Sequence, residues 1–188
     1  AVDYMDDDGI TDEPVKLAVT ITVDGDELIA DFDGTDEQTT GPINCPWAVT
    51  AGGVYIALLH VTDPEIPFNA GCFRPVHVTV PAGTVLNADH PAATVGGNTE
   101  TSKRVIDVVV RAFEDVLPDR VAGANHGTSN NFTGGGTTVT GDEYAWYLFI
   151  EGGWGGRATS DGPTAVKSQI SNTKNQPVEV FEKKYPFV

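Results

Sequence analysis

From Val15 to Val23, the residues Val15, Leu17, Val19, Ile21 and Val23 alternate with Lys16, Ala18, Thr20 and Thr22. A period of two puts one set on each face, which predicts a strand with one face buried. Asp24-Gly25 supplies a tight turn, and the return strand carries Leu28, Ala30 and Phe32 before Asp33-Gly34-Thr35. Residues 15–33 are therefore expected to form a β-hairpin. Pro46 to Val61 has no charge, and its apolar side chains point all around a helical circumference. A helix buried on most sides is predicted there, with Gly52-Gly53 marking close packing of another backbone, and a strand-rich segment is the alternative. Further on, Val76, Val78 and Val80 alternate with His77 and Thr79 as a strand between proline- and glycine-rich connections.

The strongest helical period runs from Thr101 to Leu117. Val105, Ile106, Val109, Val110, Phe113, Val116 and Leu117 share one face, opposite Lys103, Arg104, Asp107, Arg111, Glu114 and Asp115. Pairs four apart join Glu100 to Arg104, Lys103 to Asp107 and Arg111 to Asp115, each contributing about 0.2–0.5 kcal/mol. Burial of each large apolar side chain contributes roughly 1.5–3 kcal/mol, so packing against a sheet holds this helix. Tyr144 to Glu151, apolar on both faces, predicts a central strand, and Pro177 to Phe181 a last one. The pattern describes a single domain over 1–188, an α+β fold: a twisted mixed or mainly antiparallel sheet with two main helices, about 46–61 and 101–117.

Charge changes the picture more than composition does. With 27 acidic and 11 basic residues the 188-residue chain carries a formal charge of −16. That balance argues against nucleic acid or an anionic membrane as partner, because phosphate binding needs clustered Lys and Arg. Asp occurs 17 times and Lys six. Such a surface repels itself at low ionic strength, and a halophilic source explains it; an ordinary acidic cytoplasmic protein is the alternative. The longest uncharged stretch is broken by Pro42, Asn44 and Pro46, so no membrane span is expected. The first residues are acidic where a secretion signal is basic, and a cytoplasmic location is expected. The chain begins without Met and enters structure at once, as the middle of something longer would.

Most motifs are weak. Gly153-Trp154-Gly155-Gly156-Arg157-Ala158 matches a dinucleotide fingerprint, but Thr159-Ser160-Asp161-Gly162-Pro163 cannot supply the helix that must follow. Asp6-Asp7-Asp8-Gly9 has part of a calcium loop, yet no Glu closes it, and a solvated acidic turn is expected. His60, His77, His90 and His126 lack metal-ligand spacing. His60 and His77 read as satisfied core imidazoles, while His126 sits on a loop, where chemistry tends to reside. Cys45 and Cys72 read as buried small apolar residues.

The distinctive feature is a set of polar strings between the core elements. They include Asp6-Asp7-Asp8-Gly9-Ile10, Asp31-Phe32-Asp33-Gly34-Thr35, Gly41-Pro42-Ile43-Asn44 and Asn69-Ala70-Gly71-Cys72-Phe73-Arg74-Pro75. Pro81-Ala82-Gly83-Thr84, Gly97-Asn98, Thr101-Ser102 with Arg104 and Asp107, Asn130-Asn131-Phe132 and Pro177-Val178-Glu179 follow. In this order, over nearly the whole chain, they resemble the hydantoinase B / 5-oxoprolinase family. Gln176, where the family usually has Thr, and Gly156, where Ala is common, depart from it.

The resemblance implies an internal segment of a large subunit that works with an ATP-binding partner subunit or domain of the hydantoinase A type. Such enzymes open cyclic amides such as 5-oxoproline or N-methylhydantoin with ATP, or carboxylate small ketones. It implies ATP and Mg in the partner, a divalent metal (Zn or Mn) in the subunit's amino-terminal part, and no cofactor or metal held by this segment. A non-catalytic docking scaffold is a further alternative. Oxyanion or phosphate stabilisation needs fixed donors. Arg74, Asn98 and Arg104 are the candidate catalytic residues, with Asn44 and Asn130 for substrate binding. Arg74, before Pro75 and outside any helical pairing, ranks first.

Overall fold

The structure is a computed structural model that describes residues 1–63, 65–67, 69–150, 152–166 and 176–184. It is an α+β fold with three small sheets among the described residues rather than one. Strands β1 (Val2–Met5) and β2 (Val15–Ala18) pair antiparallel. Strands β3 (Thr20–Asp24) and β4 (Glu27–Asp31) form an antiparallel hairpin, and β5 (Val76–Thr79) adds to β4 in parallel. Strands β6 (Asn131–Thr137) and β7 (Glu143–Phe149) make a separate antiparallel ribbon.

The expected hairpin at 15–33 is real only over Thr20–Asp31. The alternation upstream belongs to β2, which pairs with the chain's first residues instead. The switch occurs at Ala18-Val19. Thr35 Oγ1 accepts from Ala18 N–H and donates to Ala18 O, both at 3.1 Å, while the amino terminus donates to Val19 O at 2.8 Å. A period of two reports an alternating strand, not which neighbour it pairs with.

Helix α1 (Trp47–Val61) matches its expected span. It crosses helix α2 (Ser102–Arg111) at Gly53, where an added Cβ would lie 2.7 Å from Val105 Cγ1. Gly52 meets nothing within 4 Å, so only one of the two glycines serves the close approach. Thr50 Oγ1 donates to Leu86 O at 2.6 Å, tying α1 to the loop after β5. Leu17, Phe32, Val54, Leu86 and Ile106 are among the fully buried side chains of the core between these helices and the first two sheets.

The second helix departs from its period in two ways. It begins as a π-helical turn, Gly97–Thr101, and ends at Arg111, after which Phe113, Glu114 and Val116 donate to carbonyls three residues back. The tighter pitch keeps Phe113 in the core but leaves Val116 71% exposed. Its polar side is not a solvent face either, since Lys103 and Asp107 are buried. The expected central strand at 144–151 is instead one strand of the exposed ribbon, and Val178–Lys184 forms helix α3 rather than a strand. Among the described residues no helix is long and apolar enough to cross a membrane.

Candidate functional site

Four of the polar strings, distant in sequence, meet at one end of α2 around an open cleft of about 920 Å³. The acidic turn after β1 forms one side, Pro42-Ile43 and the start of the π-helical turn the next, and Arg104 the floor. The 126–128 loop and the ribbon residues Asn131 and Tyr147 close the far side.

Buried clamps hold each string in place. Asp8 is buried, not solvated as expected of an acidic turn. Its Oδ1 accepts from Ile10 N–H at 2.9 Å, Thr11 N–H at 2.6 Å and Thr11 Oγ1 at 3.0 Å, and its Oδ2 from Gly41 N–H at 2.8 Å. Those backbone donors, Thr11 and then Gly41 foremost, hold its carboxyl far below the usual range. At Gly41 a Cβ would lie 1.8 Å from Asp8 O, so only glycine fits.

The next clamp is Asn44, fully buried. Its Oδ1 accepts from Thr39 N–H at 2.8 Å, and its Nδ2 is within 3.0 Å of the carbonyls of Thr39, Gly41 and Ala93. Beside it, Cys45 Sγ donates to Gly97 O at 3.3 Å, and Thr101 Oγ1 donates to Ile43 O. Burial pushes the Cys45 thiol up to about 12, which keeps it protonated and unreactive.

Arg104 is gripped from below by Asp107 and at 3.4 Å by Asp3. The pairing to Glu100 expected from helical spacing gives way to these two, because the helix buries this side. Asn125 completes the cluster: its Nδ2 donates to both Asp107 oxygens at 3.0 and 3.2 Å, and its Oδ1 accepts from Gly127 N–H at 2.8 Å. Burial pushes the Asp107 carboxyl up to about 6 against the opposing charge of Arg104. The loop carrying His126 is thereby fixed over the arginine, and His126 Nδ1 lies 3.4 Å from both Gly153 O and Gly153 N. Gly152 makes room for the ring, since a Cβ there would fall 2.6 Å from His126 Cβ.

Of the five candidate residues, Arg104 alone lines the cleft. Asn98 is exposed in the π-helical turn, where its carbonyl accepts from Ser102 Oγ at 2.7 Å. Asn130, at φ 40, donates from Nδ2 to Ile150 O at 2.8 Å and anchors the base of the ribbon. Asn44 is a structural clamp. Arg74 is exposed in the turn before β5, beside the stacked Tyr55 and Phe73 rings and outside the cleft lining. Two histidines also differ from expectation. His77 is exposed with Glu27 Oε2 at 3.5 Å, and His60 Nε2 is buried without a hydrogen-bond partner among the described residues. Burial, then Arg157, lowers the His60 pKa. Cys72 is only half-buried.

Among the described residues no three His, Cys, Asp or Glu side chains converge as a metal site. Isolated bridges join Gly153 with Thr164 and Arg157 with Ala122. Sequence reasoning missed Asp8, Asp107 and Asn125. Asp8 had a signal, an Asp three residues before a Thr, which is a side-chain-capped turn. The partnership of Asp107 with Asn125 had none, because it depends on burial.

The hydantoinase B/oxoprolinase family profile matches residues 1–188. The chain belongs to that family. It is 38% identical over 184 residues to 5-oxoprolinase 1 of Arabidopsis thaliana, covering 98% of this chain and 13% of that protein. It is 33% identical over 192 residues to a putative D-/L-hydantoinase subunit of a Pseudomonas species, covering 97% of this chain and 32% of that one. The fold resembles the crystal structure of an ATP-dependent caprolactamase from Pseudomonas jessenii. The TM-score is 0.76 at 24% identity, over 92% of this chain and 30% of that one. A nucleotide-free acetone carboxylase gives 0.75 at 18%, over 92% and 24%. The 188 residues thus span a third or less of each of these relatives.

Proposed function

We propose that this segment forms part of an ATP-dependent cyclic amide hydrolase of the 5-oxoproline or N-methylhydantoin type. It acts with a hydantoinase A-type ATP-binding partner. The observation that carries this reading is 38% identity to a 5-oxoprolinase across 98% of the chain. Ring opening adds water to the amide carbon and breaks its bond to nitrogen; phosphoryl transfer from ATP to the amide oxygen makes that carbon electrophilic, and the group leaves as phosphate. On the family resemblance, a divalent metal, Zn or Mn, belongs to the amino-terminal part of the subunit.

The clamped cleft suits a holding role. Arg104 is held by Asp107 and Asp3, so the strings around it present preorganised polar groups. Asn98 and Asn130 stand at the edges of the strings that form it, and exposed Arg74 acts only across a contact with another part of the enzyme. The likeness of fold to acetone carboxylase supports a second reading, a segment of an ATP-dependent ketone carboxylase. Assays of the whole enzyme with its partner separate the two. Glutamate formed from 5-oxoproline and ATP without bicarbonate supports the hydrolase, and bicarbonate-dependent consumption of acetone overturns it. Capture of the partner by a segment whose Arg104→Gln and Arg74→Ala variants leave the whole enzyme's turnover unchanged would leave only a docking scaffold.

A further inference from the structure

The β6–β7 ribbon has two unlike faces. Its register places Asn131, Thr133, Tyr147 and Phe149 on one side and Phe132, Leu148, Trp146 and Tyr144 on the other. The first side supplies Asn131 and Tyr147 to the cleft. The second carries no charged residue. Phe132 is 54% exposed, Tyr144 51%, Trp146 42% and Leu148 42%, and Ile150 beside them 44%. With large side chains presenting roughly 150–250 Å² each, this is an apolar patch on the order of 400 Å².

Its construction is specific. Gly134 and Gly136 lie opposite Trp146 and Tyr144, so the rings rest across the bare backbone of β6. A Cβ at Gly134 would come within 2.5 Å of the indole, and one at Gly136 within 3.0 Å of the phenol oxygen. Phe132 and Trp146 pack with ring centroids 5.1 Å apart. The result is a smooth, uncharged, aromatic surface on a chain of net charge −16.

We propose that this outer face is a packing surface for the rest of the same hydantoinase B-type polypeptide, which covers it with an uncharged apolar sheet or helix face. Two observations select this occupant. An isolated two-stranded ribbon is marginally stable in water and needs packing against another element, which a covalently continuous part supplies at every protein concentration. Most of such a polypeptide also lies outside this segment, which spans 32% of the Pseudomonas hydantoinase relative and 30% of the caprolactamase chain. The ribbon is then a wall with two jobs: its outer side packs on the remainder, and its inner side shapes the cleft. The cleft wall takes its position from parts of the polypeptide that this segment does not contain. This inference rests on family membership and not on which reaction the enzyme performs.

Hydroxyl-radical footprinting read by mass spectrometry tests it on the whole subunit, alone and with its ATP-binding partner, and on the 188-residue chain. Modification of Trp146 and Phe132 is expected to be at least about fivefold slower in the lone whole subunit than in the 188-residue chain, with no further change on adding the partner. Protection that arises only with the ATP-binding partner overturns the proposal. So does a 188-residue chain that dimerises and protects Trp146 by itself, which assigns the face to a second copy. Trp146→Lys gives a second readout that does not need the short chain. It is expected to lower the melting temperature of the lone whole subunit, and an unchanged melting temperature overturns the proposal too.

Discussion

Gly52 and Gly53 are neighbours on α1 that should respond to alanine with opposite signs. Alanine is favoured over glycine in a helix interior by about 1 kcal/mol. At Gly52 an added methyl meets nothing within 4 Å, so this gain is realised in full. At Gly53 the methyl would lie 2.7 Å from Val105 Cγ1 and 3.2 Å from Val105 Cβ, and Val105 is fully buried on α2. Overpacking of this kind costs about 1–3 kcal/mol, which outweighs the helical gain. For a chain this size, each kcal/mol moves the melting temperature by roughly 2–4 °C. Gly52→Ala is therefore expected to raise it by about 2–4 °C and Gly53→Ala to lower it by about the same amount. Circular dichroism melts of both variants beside the parent measure this directly. Adding Val105→Ala should remove the penalty at 53, a coupling of about 1 kcal/mol or more between residues in contact. If Gly53→Ala stabilises as much as Gly52→Ala does, α1 does not cross α2 at Val105.

The two buried carboxylates predict opposite responses to pH. Asp107 holds a proton in the folded state up to about pH 6 that the unfolded chain has already released, so stability should fall as pH rises from about 4 to 6, by roughly 2–3 kcal/mol. Asp8, held below the ordinary range, contributes stability above about pH 4 that is lost on acidification. In urea titrations Asp107→Asn should flatten the first trend and Asp8→Asn the second; slopes like the parent's in either variant remove that assignment. Asn44→Ala strands the buried Gly41 carbonyl, at about 1–3 kcal/mol, and removes the bonds to half-buried Thr39 and exposed Ala93, so it should destabilise by about 2 kcal/mol or more in the same titration. Arg74→Ala in the complete enzyme is expected to cut turnover at least about tenfold, and unchanged turnover takes it out of the site. Melting temperature should rise with added KCl as self-repulsion of the −16 charge is screened; a flat or falling trend rejects a halophilic origin.

Local pattern decided a good deal on its own. The uncharged run before Val61 favoured a buried helix over a strand-rich reading, and the helix holds its expected bounds to within a residue. Val76–Thr79 alternates and is a strand, and Asp24-Gly25 turns the hairpin as its chemistry requires. The ordered polar strings were enough to place the chain in its family, because such strings report loop geometry and spacing rather than any one contact.

Pairing and burial were decided elsewhere. Whether Val15–Ala18 continues into its hairpin or turns to residues 2–5 depends on a partner that alternation does not name. Apolar residues on both faces of Tyr144–Phe149 read as a central strand, yet glycines opposite them let the rings lie on an exposed ribbon. The helical period put Asp107 in solvent, while packing buries it between Arg104 and Asn125. The cleft exists only because four strings far apart in the chain are clamped side by side. Periodicity is a property of a few consecutive residues, whereas a buried charge network takes its energy from neighbours that only the folded chain brings together.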